Sequence, residues 1–219
     1  MKHVLEIDGV QLNFGLRTIL SDVYVRCDTG KVTGLLGRNG SGKSCFMQVA
    51  FGTMQAYSRS VRCDGKPIAC AYKSRKLISY LPQFYFIPAR LRVGTALSGF
   101  GLSVQDFKDK FPQYADCIFY RMDELSGGQR RMIEIYAVLK ADTLFTVLDE
   151  PFSHIMPLHV EVLKEMIQVE KERKGIMVTD HMYNHIVDVS DEIYLLNDGK
   201  THWLKHTDEL VQLGYLSHC

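Results

Sequence analysis

No Cys-x-x-Cys pair occurs among the six cysteines (Cys27, Cys45, Cys63, Cys70, Cys117 and Cys219), which stand scattered along the chain. That excludes the ligand spacing of a zinc ribbon and the dense framework of a small disulfide scaffold, leaving reduced thiols as the expectation. Nor does any uninterrupted apolar run approach the roughly 20 residues that cross a bilayer. The opening MKHVLEIDGV meets acids within a few residues, so the apolar core of a signal peptide is not expected there. Charge of one sign is missing too. Lys plus Arg number 26 and Asp plus Glu 25, for a net charge of +1. Dedicated nucleic-acid binders usually carry a clear basic excess, so nucleic acid is not an expected partner. Repeats and low-complexity tracts are also absent. What remains is a 219-residue chain, 46% hydrophobic, able to bury one sizeable core divided at most into a domain and a subdomain. A soluble intracellular protein is expected.

The first third reads as short strands: HVLEID, VQLNF, VYVRC and KVTGLL, bounded by turns such as Asp8-Gly9 and Thr29-Gly30. A helix is predicted from Lys43 to near Gly52, then a hairpin around Asp64-Gly65, then a buried strand in LISYLPQ. From there to Gly128, short helical pieces are broken by Pro88, Gly94, Gly99, Gly101 and Pro112. That stretch stays rich in Phe, Leu and Tyr, which marks a small helical insertion, not a linker. QRRMIEIYAVLKA reads as helix, TLFTVL as strand, and LHVEVLKEMIQVEKERK as an amphipathic helix burying Leu158, Val162, Leu163, Met166 and Ile167. GIMVTD and EIYLLN are later strands. Strands alternating with helices predict an α/β sheet with parallel pairing.

After KVTGLL comes GRNGSGKS, Gly37 to Ser44, which fits G-x-x-x-x-G-K-[ST] with a strand before it and a helix after it. Glycines at Gly37, Gly40 and Gly42 permit positive φ, letting the N–H groups of the loop, Arg38, Asn39 and Ser41 included, curl around phosphates. Lys43 reaches the outer phosphates as a point charge, and Ser44 offers a hydroxyl to Mg²⁺. The helix that starts there points its positive dipole end at the anion. A nucleoside triphosphate is the expected ligand. The run TLFTVLDEP ends in two acids, Asp149 and Glu150, which a buried strand does not carry without reason. Lying beside the loop, Asp149 would meet the metal, and Glu150 would polarise an attacking water.

LSGGQRR, Leu125 to Arg131, gives its helix start nothing apolar to bury and suits a second anion site, at Ser126, Gly127, Gly128 and Gln129. Together these motifs closely resemble the nucleotide-binding subunits of ABC transporters, over nearly the whole chain and in family order. The resemblance implies an α/β P-loop NTPase core with a mixed parallel sheet, an N-terminal antiparallel β subdomain and a small helical subdomain. It divides the chain into 1–82 and 129–219 for the ATP-binding core and 83–128 for the helical part. It further implies ATP and Mg²⁺ as cofactors, an adenine shelf at Phe14, a metal- and water-sensing glutamine at Gln83, and a γ-phosphate contact at His181. Cys45, directly after Ser44, replaces the more usual Thr.

In the family the signature of one subunit caps the ATP of another, so a homodimer is expected. Membrane permease subunits are expected to hold the pair on the cytoplasmic face of the cell membrane. The aromatic and apolar cluster Phe84, Tyr85, Phe86 and Ile87 is the expected permease contact. TVLDEPFSHIMP, VTDHMYNHIVDVSDEIYLLNDGK and the closing GYLS look most like the ATPases of lipopolysaccharide export and branched-chain amino-acid uptake. One loop departs from the pattern. Met156 stands where the family has an Asp that communicates between the two ATP sites, which predicts a working but less cooperative ATPase. The alternative is a regulatory nucleotide switch with decayed hydrolysis, which measured turnover separates from a motor.

Overall fold

The computed structural model describes residues 2–74, 76–153, 155–206 and 208–215. The chain opens with the long strand β1 (Val4–Phe14) and folds straight back through β2 (Arg17–Asp28). Next, β3 (Val32–Leu36) leads into helix α1 (Lys43–Phe51), and β4 (Ser58–Cys63) turns into the two-residue β5 (Lys66–Pro67). Strand β6 (Ile78–Leu81) precedes a helical stretch holding α2 (Val93–Gly99), α3 (Val104–Lys110) and 3₁₀ turns at Pro112–Phe119 and Met122–Glu124. The long helix α4 (Gly127–Lys140) returns to β7 (Phe145–Asp149) and α5 (Pro157–Lys171). Then come β8 (Gly175–Thr179), α6 (Tyr183–Val189), β9 (Glu192–Asn197), β10 (Lys200–Leu204) and α7 (Glu209–Gln212).

The strands lie in the order β5-β4-β1-β2-β10-β9-β3-β8-β7-β6. From β9 through β3, β8 and β7 to β6 the pairing is parallel. Strands β5, β4, β1 and β2 form an antiparallel arm, and β10 turns back antiparallel on β9. Parallel strands need cover on both faces, and alternate residues here feed two cores. Phe145, Val147 and Met177 pack with α1 and the arm, whereas Leu148, Ile176 and Val178 pack with α4, α5 and α6. The second core runs without a break into the helical stretch through Val93, Leu97, Phe107, Phe111 and Met122. Gly34 lets α6 lie close on β3: a Cβ there would sit 2.7 Å from Ile186 Cγ2 and 2.5 Å from Ser190 Oγ. This is the expected α/β P-loop architecture, with its mixed sheet, antiparallel arm and helical part.

Several local expectations are corrected. HVLEID and VQLNF are one strand, β1, whose register shifts after Ile7 absorb Gly9 at φ 60. Strand β10 was not anticipated, because of its five residues only Leu204 is buried and no apolar alternation marks it. On α5, Leu158 is 76% exposed and His159 takes the buried place, its Nε2 lying 2.6 Å from the Tyr114 hydroxyl. In the closing GYLS, Leu216 and Ser217 lie outside the described residues, as does His154 in the loop after Glu150.

Candidate nucleotide-binding site

Strand β3 ends at Leu36, and the chain reverses into α1 through Gly37–Gly42. Gly40 (φ 77) and Gly42 (φ 102) take left-handed conformations. A Cβ on Gly42 would come within 2.8 Å of Ile19 Cγ2, and one on Gly37 within 2.8 Å of the Leu196 carbonyl. Only glycine closes this loop without displacing its neighbours. Lys43 is buried beneath it, donating from Nζ to the carbonyls of Gly37 (2.7 Å) and Arg38 (3.2 Å). Burial pulls its pKa down, opposed by the charges of Glu150, Asp149 and Asp180.

Asp149, at the end of β7, is 1% exposed. The Ser44 hydroxyl donates to its Oδ1 at 3.0 Å and the Tyr80 hydroxyl to its Oδ2 at 3.2 Å. Desolvation outweighs both donors and pushes the carboxyl up to about 6. Glu150 sits at φ 51, a left-handed conformation uncommon outside glycine. It is held there from two sides. Its N–H donates to the Thr179 carbonyl at 2.8 Å, and Arg131 donates to the carbonyls of Asp149 (2.9 Å), Glu150 (3.2 Å) and Pro82 (2.7 Å). The Glu150 carboxylate accepts from Gln83 Nε2 at 2.8 Å and lies 3.8 Å from His181 Nδ1.

A cavity of about 640 Å³ brings most of the predicted groups together. Phe14, Asn39, Gly40, Gly42, Lys43, Ser44 and Cys45 line one side, and Gln83, Glu150 and His181 complete it. Gly37, Arg38, Ser41 and Asp149 support it from outside the lining, with Arg38 reaching away to the Gly214 carbonyl at 2.6 Å. Arg17 and Ile19 also line it, and sequence reasoning missed them, as it missed Tyr80 and Arg131. The second arginine of QRR could have been suspected from its inward helical position; Tyr80 carries no such signal. Ser126, Gly127, Gly128 and Gln129 lie outside this cavity. There Gln129 N donates to Ser126 Oγ and Ser126 N to Gln129 Oε1, a reciprocal cap that starts α4. Met156 occupies the N-cap of α5, 56% exposed and offering no side-chain bond to the helix.

A second concavity, an apolar groove of about 850 Å³, lies beyond β6. Phe84, 66% exposed, and half-buried Phe86 line it with Phe51, Tyr80 and Phe100. Of the four residues expected to meet the permease, Phe84 and Tyr85 are exposed, whereas Ile87 is 3% exposed and belongs to the core. Tyr85 turns instead to α4, its ring under the Arg130 guanidinium at 4.4 Å and its hydroxyl 3.3 Å from the Gly127 carbonyl. The cause is Glu134, whose Oε1 accepts from the N–H groups of Phe86 and Ile87 and pins the segment to α4.

Residues 20–153 match the family model described as ABC transporter. The lipopolysaccharide export system ATP-binding protein LptB of Haemophilus influenzae is 29% identical over 212 residues, covering 90% of this chain and 88% of that protein. The high-affinity branched-chain amino acid transport ATP-binding protein BraG of Pseudomonas aeruginosa is 29% identical over 210 residues, covering 90% of each. A solved ATP binding subunit of an ABC transporter superposes with a TM-score of 0.80 at 21% identity, over 98% of this chain and 95% of that one. An ATP-binding cassette solved in its ADP conformation gives 0.76 at 19% identity, over 99% of each. No helix among the described residues is long and apolar enough to cross a membrane. With the family model matching residues 20–153, more than half of its length, the chain belongs to the ABC transporter family, as an ATP-binding and ATP-hydrolysing subunit that works with membrane permease components.

Proposed function

We propose that the chain hydrolyses Mg-ATP in the cavity between Lys43 and Glu150, as a homodimer seated on permease subunits at the inner face of the cell membrane. The observation that carries this reading is the convergence of Lys43, Ser44, Gln83, Glu150 and His181 on one cavity. Ser44 Oγ and Asp149 Oδ1 are hard oxygen donors of the kind Mg²⁺ selects. Among the described residues no three His, Cys, Asp or Glu are grouped to hold a metal alone. That suits Mg²⁺, which is normally held by one or two carboxylates together with substrate phosphates. When bound, the ion neutralises charge on the phosphates.

The protein's own groups do the rest. Lys43 exchanges the Gly37 and Arg38 carbonyls for the outer phosphates, and the exposed Phe14 ring is the adenine shelf. Glu150, steadied by Gln83 and by the Arg131 clamp on its backbone, takes the proton of the attacking water. His181 meets the γ-phosphate. Ser126, Gly127, Gly128 and Gln129 stand outside their own chain's cavity, which supports a second copy whose signature caps the nucleotide. Segments 1–82 and 129–219 form the ATP-binding core, and 83–128 the helical part. The groove beside Phe84 and Phe86 receives the permease.

The test is Glu150→Gln. Binding of a fluorescent ATP analogue should stay close to wild type while turnover falls at least about 100-fold, since an amide cannot accept the proton. With Mg-ATP this variant should elute as a dimer on size exclusion. Full turnover removes Glu150 from the mechanism, and a persistent monomer removes the two-copy arrangement.

A further inference from the structure

We propose that Tyr80 is a positioning residue for Asp149, fixing through its hydroxyl the carboxylate that receives the magnesium ion. The inference rests on the metal role given to Asp149 above. Tyr80 lies on β6 opposite Val147 of β7, so its side chain rises on the α1 side of the sheet. Its ring packs on Phe51, with centroids 5.2 Å apart. From that seat the hydroxyl reaches Asp149 Oδ2 at 3.2 Å, while Oδ1 accepts from Ser44 at 3.0 Å. Each carboxylate oxygen therefore has one hydroxyl donor. The phenol O–H is the donor in this bond, since the carboxylate oxygen can only accept.

Tyr80 lines the apolar groove and not the nucleotide cavity. It cannot act on the nucleotide directly; it acts through Asp149. A buried carboxylate depends on its donors for orientation as well as charge. Were Ser44 and Asp149 to hold the cation in place of their mutual hydrogen bond, the Tyr80 hydroxyl on Oδ2 would remain to set the plane of the carboxylate. Removing such an outer partner of a ligating group typically weakens metal binding about 10–100-fold.

The experiment is Tyr80→Phe, which keeps the ring and its packing on Phe51. Binding of a fluorescent ATP analogue is measured in EDTA and across a series of free Mg²⁺ concentrations. The Mg²⁺ affinity of the nucleotide itself is common to all variants and cancels. Expected is an EDTA affinity within about twofold of wild type, with the half-saturating free Mg²⁺ raised about tenfold. Asp149→Asn is measured alongside. If Asp149→Asn raises the Mg²⁺ requirement and Tyr80→Phe does not, the role of Tyr80 is overturned and the metal site stands. If neither changes it, the metal role of Asp149 fails and this inference falls with it. An equal loss of affinity in EDTA and in Mg²⁺ would mark Tyr80 as merely structural and overturn the proposal.

Discussion

The nucleotide cavity and the apolar groove meet just after strand β6, where Gln83 lines the first and its neighbours Pro82 and Phe84 line the second, yet they are built from different materials. Backbone loops, an ammonium, a carboxylate and an imidazole line the first, at about 640 Å³. Aromatic rings and strand edges line the second, at about 850 Å³, drawn from residues between Gln48 and Thr143. Polar groups that hold a phosphate must sit at fixed offsets, because the loop, the helix start and the strand end are local structures. An apolar groove has no such rule. Its phenylalanines look like core until a fold leaves them uncovered. Arg131 stands between the two, since it grips Pro82 on the groove side and Asp149 and Glu150 on the cavity side.

Arg131→Ala should break the contrast most severely. It frees three carbonyls, two of them in buried bonds, and leaves Glu134 with a single nearby cation, Arg130, so a loss of about 3–5 kcal/mol in urea unfolding is expected. Asp149→Asn sharpens the comparison from the cavity side. A carboxyl raised from 3.8 to about 6 costs nothing where both states hold the proton, below the unfolded value. As pH rises through that window the unfolded chain ionises first and stability is lost. Without nucleotide, the Asn variant should therefore exceed wild type by about 2 kcal/mol at pH 7.5, with the gap closing towards pH 4. Met156→Asp probes an exposed apolar residue at the start of α5. Asp at the N-cap accepts from the free N–H groups of α5, for a gain of about 1 kcal/mol in thermal or urea unfolding. If restored communication is its larger effect, the Hill coefficient of ATP hydrolysis rises as well. Phe84→Ser should move stability by no more than about 0.5 kcal/mol and leave ATP binding alone. Co-purification with the permease should nevertheless fall.

Legibility followed the same divide. Gly37 to Ser44 and Asp149-Glu150 could be read directly, because each needs its neighbours at one spacing. Arg131 and Tyr80 could not, since their partners lie in other segments: Pro82 and Asp149 for the first, Phe51 and Asp149 for the second. The α5 face slipped by one residue for a similar reason. His159 is buried only because a tyrosine 45 positions away supplies a hydroxyl to its ring. Strand β10 was missed because Trp203 and His202 keep no periodicity; its pairing with β9 comes from the backbone.

The strand order also fixes when the cavity can exist during synthesis. Strand β3, which launches the phosphate loop, has no parallel partner until β8 and β9 arrive, with Val32 opposite Ile176 and Leu35 opposite Tyr194. At roughly 5–20 residues per second, the interval between Ser44 and His181 is on the order of ten seconds. For that time the glycine loop has its sequence but neither its flanking strands nor the opposite wall. A nascent chain therefore has no cavity in which to hold nucleotide, and ATP binding becomes a signal that the last third of the sheet has closed.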